Sequence, residues 1–139
     1  MLMFMVGPAT GTAFPASGRF HVISKSPLTG GIGDSDCGGN WGPELRFAGF
    51  DGIIFEGKAE KPVYLWVCDG KAELRDAEKY WGKGVWDTED GIRDEFKEPK
   101  AKIASIGPAG EKGIQLGTNL SIPSPASRAS NAAFFFMFI

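Results

Sequence analysis

The segment Gly30–Gly39, GGIGDSDCGG, has the residue types and spacing best suited to binding chemistry. Five glycines in these ten residues let backbone N–H groups approach a ligand without a Cβ in the way. Consecutive N–H groups in such a loop form concave anion sites. Arg19 lies upstream on a predicted strand, and a guanidinium can pair with phosphate through two parallel hydrogen bonds. The residues are therefore compatible with a phosphate-bearing cofactor, although composition alone favours the alternative of two tight turns between strands.

Few other side chains could carry chemistry. One histidine and two cysteines cannot assemble a four-ligand zinc or iron–sulfur site. His21 is out of step with the apolar residues of its predicted strand, so we expect it to face solvent. We expect Cys68, which ends an apolar strand, to be a small buried hydrophobic residue, and Cys37 to be the more exposed of the two. The sequence has no Walker loop, dinucleotide-binding fingerprint or nucleophile elbow.

Length and charge limit the class of protein. A chain of 139 residues corresponds to one domain or a piece of one. The 15 basic and 17 acidic residues leave no positive surplus to neutralise the phosphates of a nucleic acid. No apolar run reaches the roughly 18–20 residues needed to cross a bilayer. We therefore predict a globular domain that binds neither nucleic acid nor membrane.

The elements that must position these residues are mainly strands. A turn at Asp69-Gly70 between two apolar runs is a strong hairpin signal. Asp87 or Thr88 is predicted to cap a helix whose apolar face includes Ile92 and Phe96. The pattern predicts strands at 1–6, 19–24, 52–56, 63–68, 72–75 and 103–106, helices at 43–48 and 87–97, and a loop at 28–42.

The two ends of the sequence are unusual. Residues 1–6, MLMFMV, run directly into a Gly-Pro turn, and we interpret them as a buried strand. The tail is rich in Ser, Pro and Ala and finishes with AAFFFMFI. A terminal strand and an out-of-frame or artificial end both explain this tail.

A long run of residues resembles a known family. The run GPATGTAFPASGRFHVISKSPLTGGIGDSDCGGNWGPELRFAGFDGIIFEGKAEKPVYLW and the later WGK and IGPAGE motifs are similar to the N-terminal domain of the aldehyde ferredoxin oxidoreductases. These are tungsten- or molybdenum-pterin enzymes, and the resemblance covers about residues 6–112. It implies an α+β fold: a β-rich pterin-binding domain of two sheets with short helices, truncated at both ends. We accordingly expect a partial domain at 1–112 and a divergent tail, frameshifted or disordered, at 113–139.

The resemblance also implies a set of cofactor-binding residues. Arg19 matches the family arginine that contacts the pterin cofactor. The segment Asp36, Cys37, Gly38 and Gly39 matches the one that meets the pterin and its phosphates, with the backbone carbonyl of Asp36 holding a magnesium ion. The family usually has asparagine at position 36, so the added negative charge should weaken cofactor binding unless magnesium or Arg19 offsets it. No catalytic acid or base is expected in this chain.

The implied activity is oxidation of an aldehyde by water to a carboxylic acid at a tungsto- or molybdo-bispterin. Electrons would pass through a [4Fe-4S] cluster to ferredoxin, and the ligands of that cluster are absent here because it needs four thiolates. The chain alone is therefore expected to be inactive. For the full-length enzyme the resemblance implies a cytoplasmic location and is compatible with a homodimer. The alternatives are a non-catalytic remnant that does not fold and a freestanding binding module.

Overall fold

The computed structural model describes residues 1–112, 120–121 and 132–135. Antiparallel strands dominate this part of the chain, and the helices are short. The strands are β1 Leu2–Val6, β2 Phe20–Lys25, β3 Ile32–Cys37, β4 Gly52–Phe55, β5 Val63–Cys68, β6 Lys71–Asp76, β7 Ser105–Ile106, β8 Leu120–Ser121 and β9 Ala132–Phe135. The helices are α1 Trp41–Phe47, α2 Val85–Phe96 and α3 Pro108–Glu111, with a 3₁₀ turn at Glu78–Tyr80.

The strands form two main sheets. The first has the order β3-β2-β1-β4, the second has the order β6-β5-β9, and β7 and β8 form a separate pair. The strand pairs are antiparallel. This arrangement confirms the predicted α+β fold of two sheets with short helices.

Each sheet packs one face against a helix. The first core lies between α1 and both sheets, where Phe4, Phe20, Trp41 and Leu45 are buried with Leu65 and Val67 of β5. The rings of Phe20 and Trp41 lie 4.3 Å apart between centroids, which is close aromatic packing. The second core joins β5 to α2, and its buried residues are Tyr64, Ala77, Tyr80, Ile92, Ala101 and Ile103.

The predicted hairpin is confirmed. Strands β5 and β6 pair from Val63↔Asp76 to Cys68↔Lys71, and the two residues between them are Asp69 and Gly70. Both have positive φ, 46° and 76°, as the tight type I′ turn requires. The local sequence therefore sets the register of this sheet.

The predicted loop at 28–42 and the predicted start of the second helix are wrong, and the strand predicted at 103–106 is limited to Ser105–Ile106. The loop expected at 28–42 contains β3 and the first residues of α1. Strand β3 has few strand-forming residues, but its pairing with β2 from Phe20↔Cys37 to Lys25↔Ile32 overrides that weak propensity. Helix α2 begins after Gly84 rather than at Asp87 or Thr88, and the Thr88 N–H donates to the Gly84 carbonyl. Over residues 1–112, 120–121 and 132–135, no helix is long and apolar enough to cross a membrane.

Candidate cofactor-binding site

Pairing of β2 with β3 brings the predicted site residues to one corner of the first sheet. Phe20 lies opposite Cys37, so Arg19, just before Phe20, comes next to Gly38. The Arg19 Nη1 atom lies 3.5 Å from Asp36 Oδ2, and the Arg19 side chain is 69% exposed. An exposed ion pair of this kind contributes little to stability, so the guanidinium is available to a ligand.

The backbone of this corner is held by the loop between β1 and β2. The buried Thr10 hydroxyl donates to the Arg19 carbonyl at 3.1 Å and accepts from the Gly7 N–H at 3.0 Å. A Cβ on Gly18 would lie 2.7 Å from the Gly39 carbonyl oxygen, closer than side chains approach. The two loops therefore touch through backbone, and glycine at position 18 makes that contact feasible.

Gly38 and Gly39 form the open part of the corner. A Cβ on either residue would meet nothing within 4 Å, and Gly39 has a φ of 103°, which favours glycine. A ligand can therefore approach the backbone of these two residues closely. The same corner places an exposed guanidinium beside them, and this combination fits a phosphate group.

The prediction of one glycine-rich loop over Gly30–Gly39 is wrong. Strand β3 occupies its middle, and Gly30 and Gly31 lie in the turn at the far end of that strand. At about 3.4 Å per residue, this turn lies roughly 20 Å from Gly38. Only Gly38 and Gly39 can therefore contribute to a cradle beside Arg19.

Two carboxylates, those of Asp34 and Asp36, lie beside His21 at this corner. His21 lies opposite Asp36 in the register, and its Nδ1 atom is 2.8 Å from Asp36 Oδ1 and 3.3 Å from Asp34 Oδ1. His21 is exposed, as expected from the sequence. Its partners were missed because β3 was not predicted, although the period-two spacing of Ile32, Asp34 and Asp36 was a usable signal.

The charges of the corner decide which ligand it fits. Arg19 pairs with Asp36, and Asp34 lies beside His21, so the two carboxylates outnumber the one guanidinium and would repel a bare phosphate. The ligand atoms of His21, Asp34 and Asp36 all lie within 4.8 Å of one another, which is close enough to reach one metal ion. The donors present therefore fit a phosphate-bearing group that is accompanied by a divalent cation.

The Cys37 side chain does not join the corner. Its position opposite Phe20 directs it to the other face of the sheet, where it packs partly buried against the first core. Burial raises the pKa of the Cys37 thiol, which disfavours the thiolate that would bind a metal. Cys68, expected to be buried, is also only partly buried, and burial likewise raises its pKa. Cys37 can therefore contribute only backbone to the site.

The fold and this corner define a small β-rich domain that presents backbone and one arginine to a ligand. A model of the aldehyde ferredoxin oxidoreductase N-terminal domain matches residues 1–131. The chain belongs to this family, as the resemblance predicted.

Individual relatives agree with this assignment. The chain is 56% identical over 110 residues to a tungsten-containing aldehyde ferredoxin oxidoreductase of Pyrococcus furiosus, covering 79% of this chain and 18% of that protein. It is 46% identical over 132 residues to the enzyme of the same description from Thermococcus kodakarensis, covering 95% and 21%. The chain thus spans about a fifth of the length of the curated relatives it matches.

A solved structure shares the fold. It is the active site complex of benzoyl coenzyme A reductase with 1,5-dienoyl-CoA, with a TM-score of 0.76 and 44% sequence identity. The match covers 79% of this chain and 17% of that one. The shared fold therefore makes up a small part of that longer reductase chain.

Proposed function

We propose that this chain is the part of a tungsten-containing aldehyde ferredoxin oxidoreductase that holds the phosphate end of a tungstopterin cofactor. The observation that carries the proposal is the exposed Arg19 guanidinium beside the open backbone of Gly38 and Gly39. The names of the relatives favour tungsten over molybdenum as the metal.

Each residue of the corner would have a separate role. The Arg19 guanidinium would donate to phosphate oxygens, and Gly38 and Gly39 would let those oxygens approach the backbone. Asp36 would serve a magnesium ion through its backbone carbonyl, with its carboxylate adding to the attraction. The positive charge of that magnesium ion would offset the negative charge that Asp36 has and the asparagine usual at this position lacks. Cys37 would contribute only its backbone.

The bound cofactor would supply the two-electron oxidation of an aldehyde to a carboxylic acid, with ferredoxin as electron acceptor. The protein's part is to bind and orient the cofactor. The two cysteines of the chain cannot provide the four thiolates of a [4Fe-4S] cluster, so that cluster would be held elsewhere in the enzyme. The domain boundary at residue 112, the homodimer and the cytoplasmic location stay predictions.

A second candidate is reductive chemistry on a coenzyme A-linked substrate. It is supported by the 44% identity to the benzoyl coenzyme A reductase complex. The two candidates share the same cofactor corner and differ in substrate, so comparing aldehydes with aromatic acyl-CoA thioesters as substrates of the full-length enzyme would separate them.

The cofactor-binding role predicts losses of bound pterin in two variants that keep the fold. Arg19→Gln should lower pterin and tungsten content about 10-fold, because hydrogen bonds to charged groups contribute about 1.5–3 kcal/mol. Gly38→Ala should have a similar effect, because its methyl group would occupy the open cradle. The measurement is tungsten by mass spectrometry and pterin by fluorescence, on protein produced anaerobically in a host that makes the cofactor.

Gly107→Ala is the control, since Gly107 follows β7 rather than belonging to the Gly38–Gly39 segment, and a Cβ there meets no described atom within 4 Å. It should retain the wild-type pterin content. A full-length wild-type enzyme that is folded yet free of pterin and tungsten would refute the proposed function. A folded wild type with full pterin content, unchanged in both variants, would refute the assignment of the corner.

A further inference from the structure

The Arg19 guanidinium is held only weakly by its own contacts. Its Nη1 atom lies 3.5 Å from Asp36 Oδ2, and the side chain is 69% exposed. Exposed ion pairs of this kind restrain their side chains little. Arg19 also stands at the end of the loop that joins β1 to β2, just before β2 begins. The place of its guanidinium therefore depends on what fixes its backbone.

The backbone of Arg19 lies one step beyond the paired part of β1 and β2. The register pairs Val6 with Phe20, so the next pair would be Gly7 with Arg19. The Val6 N–H donates to the Asp51 carbonyl beside β4. Because N–H groups alternate in direction along a strand, the Gly7 N–H points towards β2 and the Arg19 carbonyl.

The hydroxyl group of Thr10 bridges these two backbone groups. Thr10 Oγ1 accepts from the Gly7 N–H at 3.0 Å and donates to the Arg19 carbonyl at 3.1 Å. The Thr10 N–H donates in turn to the Gly7 carbonyl at 3.0 Å, which fixes the turn that carries the hydroxyl. The hydroxyl thus takes the place of a direct ladder hydrogen bond and extends the sheet to Arg19.

This bridge requires a hydroxyl group, because one atom must accept a hydrogen bond and donate another. Thr10 is buried, so water does not readily replace its hydroxyl. Valine has nearly the same shape but would leave the Gly7 N–H and the Arg19 carbonyl without this partner, which is costly for buried groups. Serine would keep the bridge.

The same carbonyl group also lies close to the helix that follows the open glycines. A Cβ on Gly42 of α1 would lie 3.4 Å from the Arg19 carbonyl oxygen, and α1 begins two residues after Gly39. The backbone of Arg19 is therefore in contact with the Thr10 hydroxyl and with the start of α1. These contacts fix Arg19 relative to Gly38 and Gly39.

We propose that Thr10 is a positioning residue for cofactor binding. Its hydroxyl bridge fixes the backbone of Arg19, so that the guanidinium lies beside Gly38 and Gly39 where the phosphate group would bind. Thr10 acts through Arg19 and does not itself touch the ligand. The identity of the ligand rests on the proposed function, whereas the bridge does not.

The proposal predicts a loss of pterin from the full-length enzyme when the hydroxyl is removed. Thr10→Val should lower pterin content about 5-fold, the effect expected for one hydrogen bond. The loss should not exceed that of Arg19→Gln, because Thr10 acts through Arg19. Thr10→Ser should keep nearly the wild-type content. The measurement is pterin fluorescence on enzyme produced anaerobically, and Thr10→Ala, which also lacks the hydroxyl, replaces Thr10→Val if that variant does not fold.

A double variant separates positioning from a purely structural role. Thr10→Val/Arg19→Gln should contain as much pterin as Arg19→Gln alone, because no guanidinium is left to position. Its melting temperature should still be lower than that of Arg19→Gln, since the bridge is lost in either background. A further loss of pterin in the double variant as large as that in Thr10→Val would overturn the positioning role.

Thr12→Val is the matched control within the same loop. Thr12 is exposed, and its hydroxyl donates to the Ala9 carbonyl at 2.7 Å rather than to Arg19. The variant should therefore match wild type in pterin content. A loss in Thr12→Val equal to that in Thr10→Val would show that the loop as a whole, and not the bridge to Arg19, supports binding.

Hydrogen exchange tests the bridge without reference to the cofactor. Peptides covering residues 7–20 should exchange faster in Thr10→Val than in wild type and at the wild-type rate in Thr10→Ser. Unchanged exchange in Thr10→Val would overturn the bridge. Faster exchange with full pterin content in Thr10→Val, while Arg19→Gln loses pterin, would overturn the positioning role and leave the proposed function standing. A wild-type enzyme without pterin would refute the proposed function, and the positioning role with it.

Discussion

Replacing Trp41 with alanine is expected to lower the free energy of unfolding by about 3–5 kcal/mol, the usual cost of removing a large buried aromatic side chain. Trp41 is among the largest fully buried side chains of the described residues. Its ring lies 4.3 Å from that of Phe20 and 5.4 Å from that of Phe4, so the substitution opens a cavity between α1 and the first sheet. For a chain of this size the melting temperature should fall by roughly 10–20 °C.

The control for Trp41→Ala is a tryptophan that packs against little. Trp86 at the start of α2 is 67% exposed, and Trp86→Ala should change the free energy of unfolding by no more than about 0.5 kcal/mol. Trp41→Phe should lose less than Trp41→Ala because it leaves a smaller cavity. Equal effects of Trp41→Ala and Trp86→Ala in thermal and denaturant unfolding would show that the first core is not where the stability lies.

Gly18→Ala is the second change with a large expected effect, and it acts on both stability and binding. Its Cβ would lie 2.7 Å from the Gly39 carbonyl oxygen, and both groups belong to backbone that cannot rotate away. Overpacking of this kind costs roughly 1–3 kcal/mol. Because relief requires Gly39 to move, the variant should also lose pterin, like Gly38→Ala but with a lower melting temperature.

Gly107→Ala again provides the comparison, because an added methyl group there meets no atom of the described residues within 4 Å. The two glycine variants at the corner should differ in one respect only. Gly38→Ala should keep the wild-type melting temperature, whereas Gly18→Ala should not. A Gly18→Ala protein with wild-type stability and pterin content would contradict the backbone contact between the two loops.

Much of the fold was predictable because its signals are local. The Asp69-Gly70 turn sets its own hairpin, since few residues other than glycine and asparagine-like side chains accept positive φ. The alternation in β2 and the apolar run of β1 likewise place these strands from the sequence alone. Helix α2 was also predicted from its local pattern, but its first residue was predicted at Asp87 and is Val85.

The candidate site was predictable only in part. Arg19, Asp36, Gly38 and Gly39 were named from the family resemblance, and the register of β2 with β3 does bring them together. The direction of Cys37 was missed because the face occupied by a strand residue depends on a register that its own segment does not specify. The contact of His21 with Asp34 and Asp36 was missed for the same reason, because it depends on the pairing of β2 with β3.

The sequence by itself determined the family, the α+β class, the hairpin and four residues of the corner, Arg19, Asp36, Gly38 and Gly39. Only the tertiary structure decided that Ile32–Cys37 is a strand at the edge of the described first sheet, that the open glycines of the corner are Gly38 and Gly39, and that the charged residues Glu44, Glu89 and Lys102 are buried. The physical reason is the distance along the chain over which each kind of interaction acts. Turns and periodic patterns follow from steric preferences within a few residues, whereas an edge strand and a buried charge exist only where distant segments supply their partners.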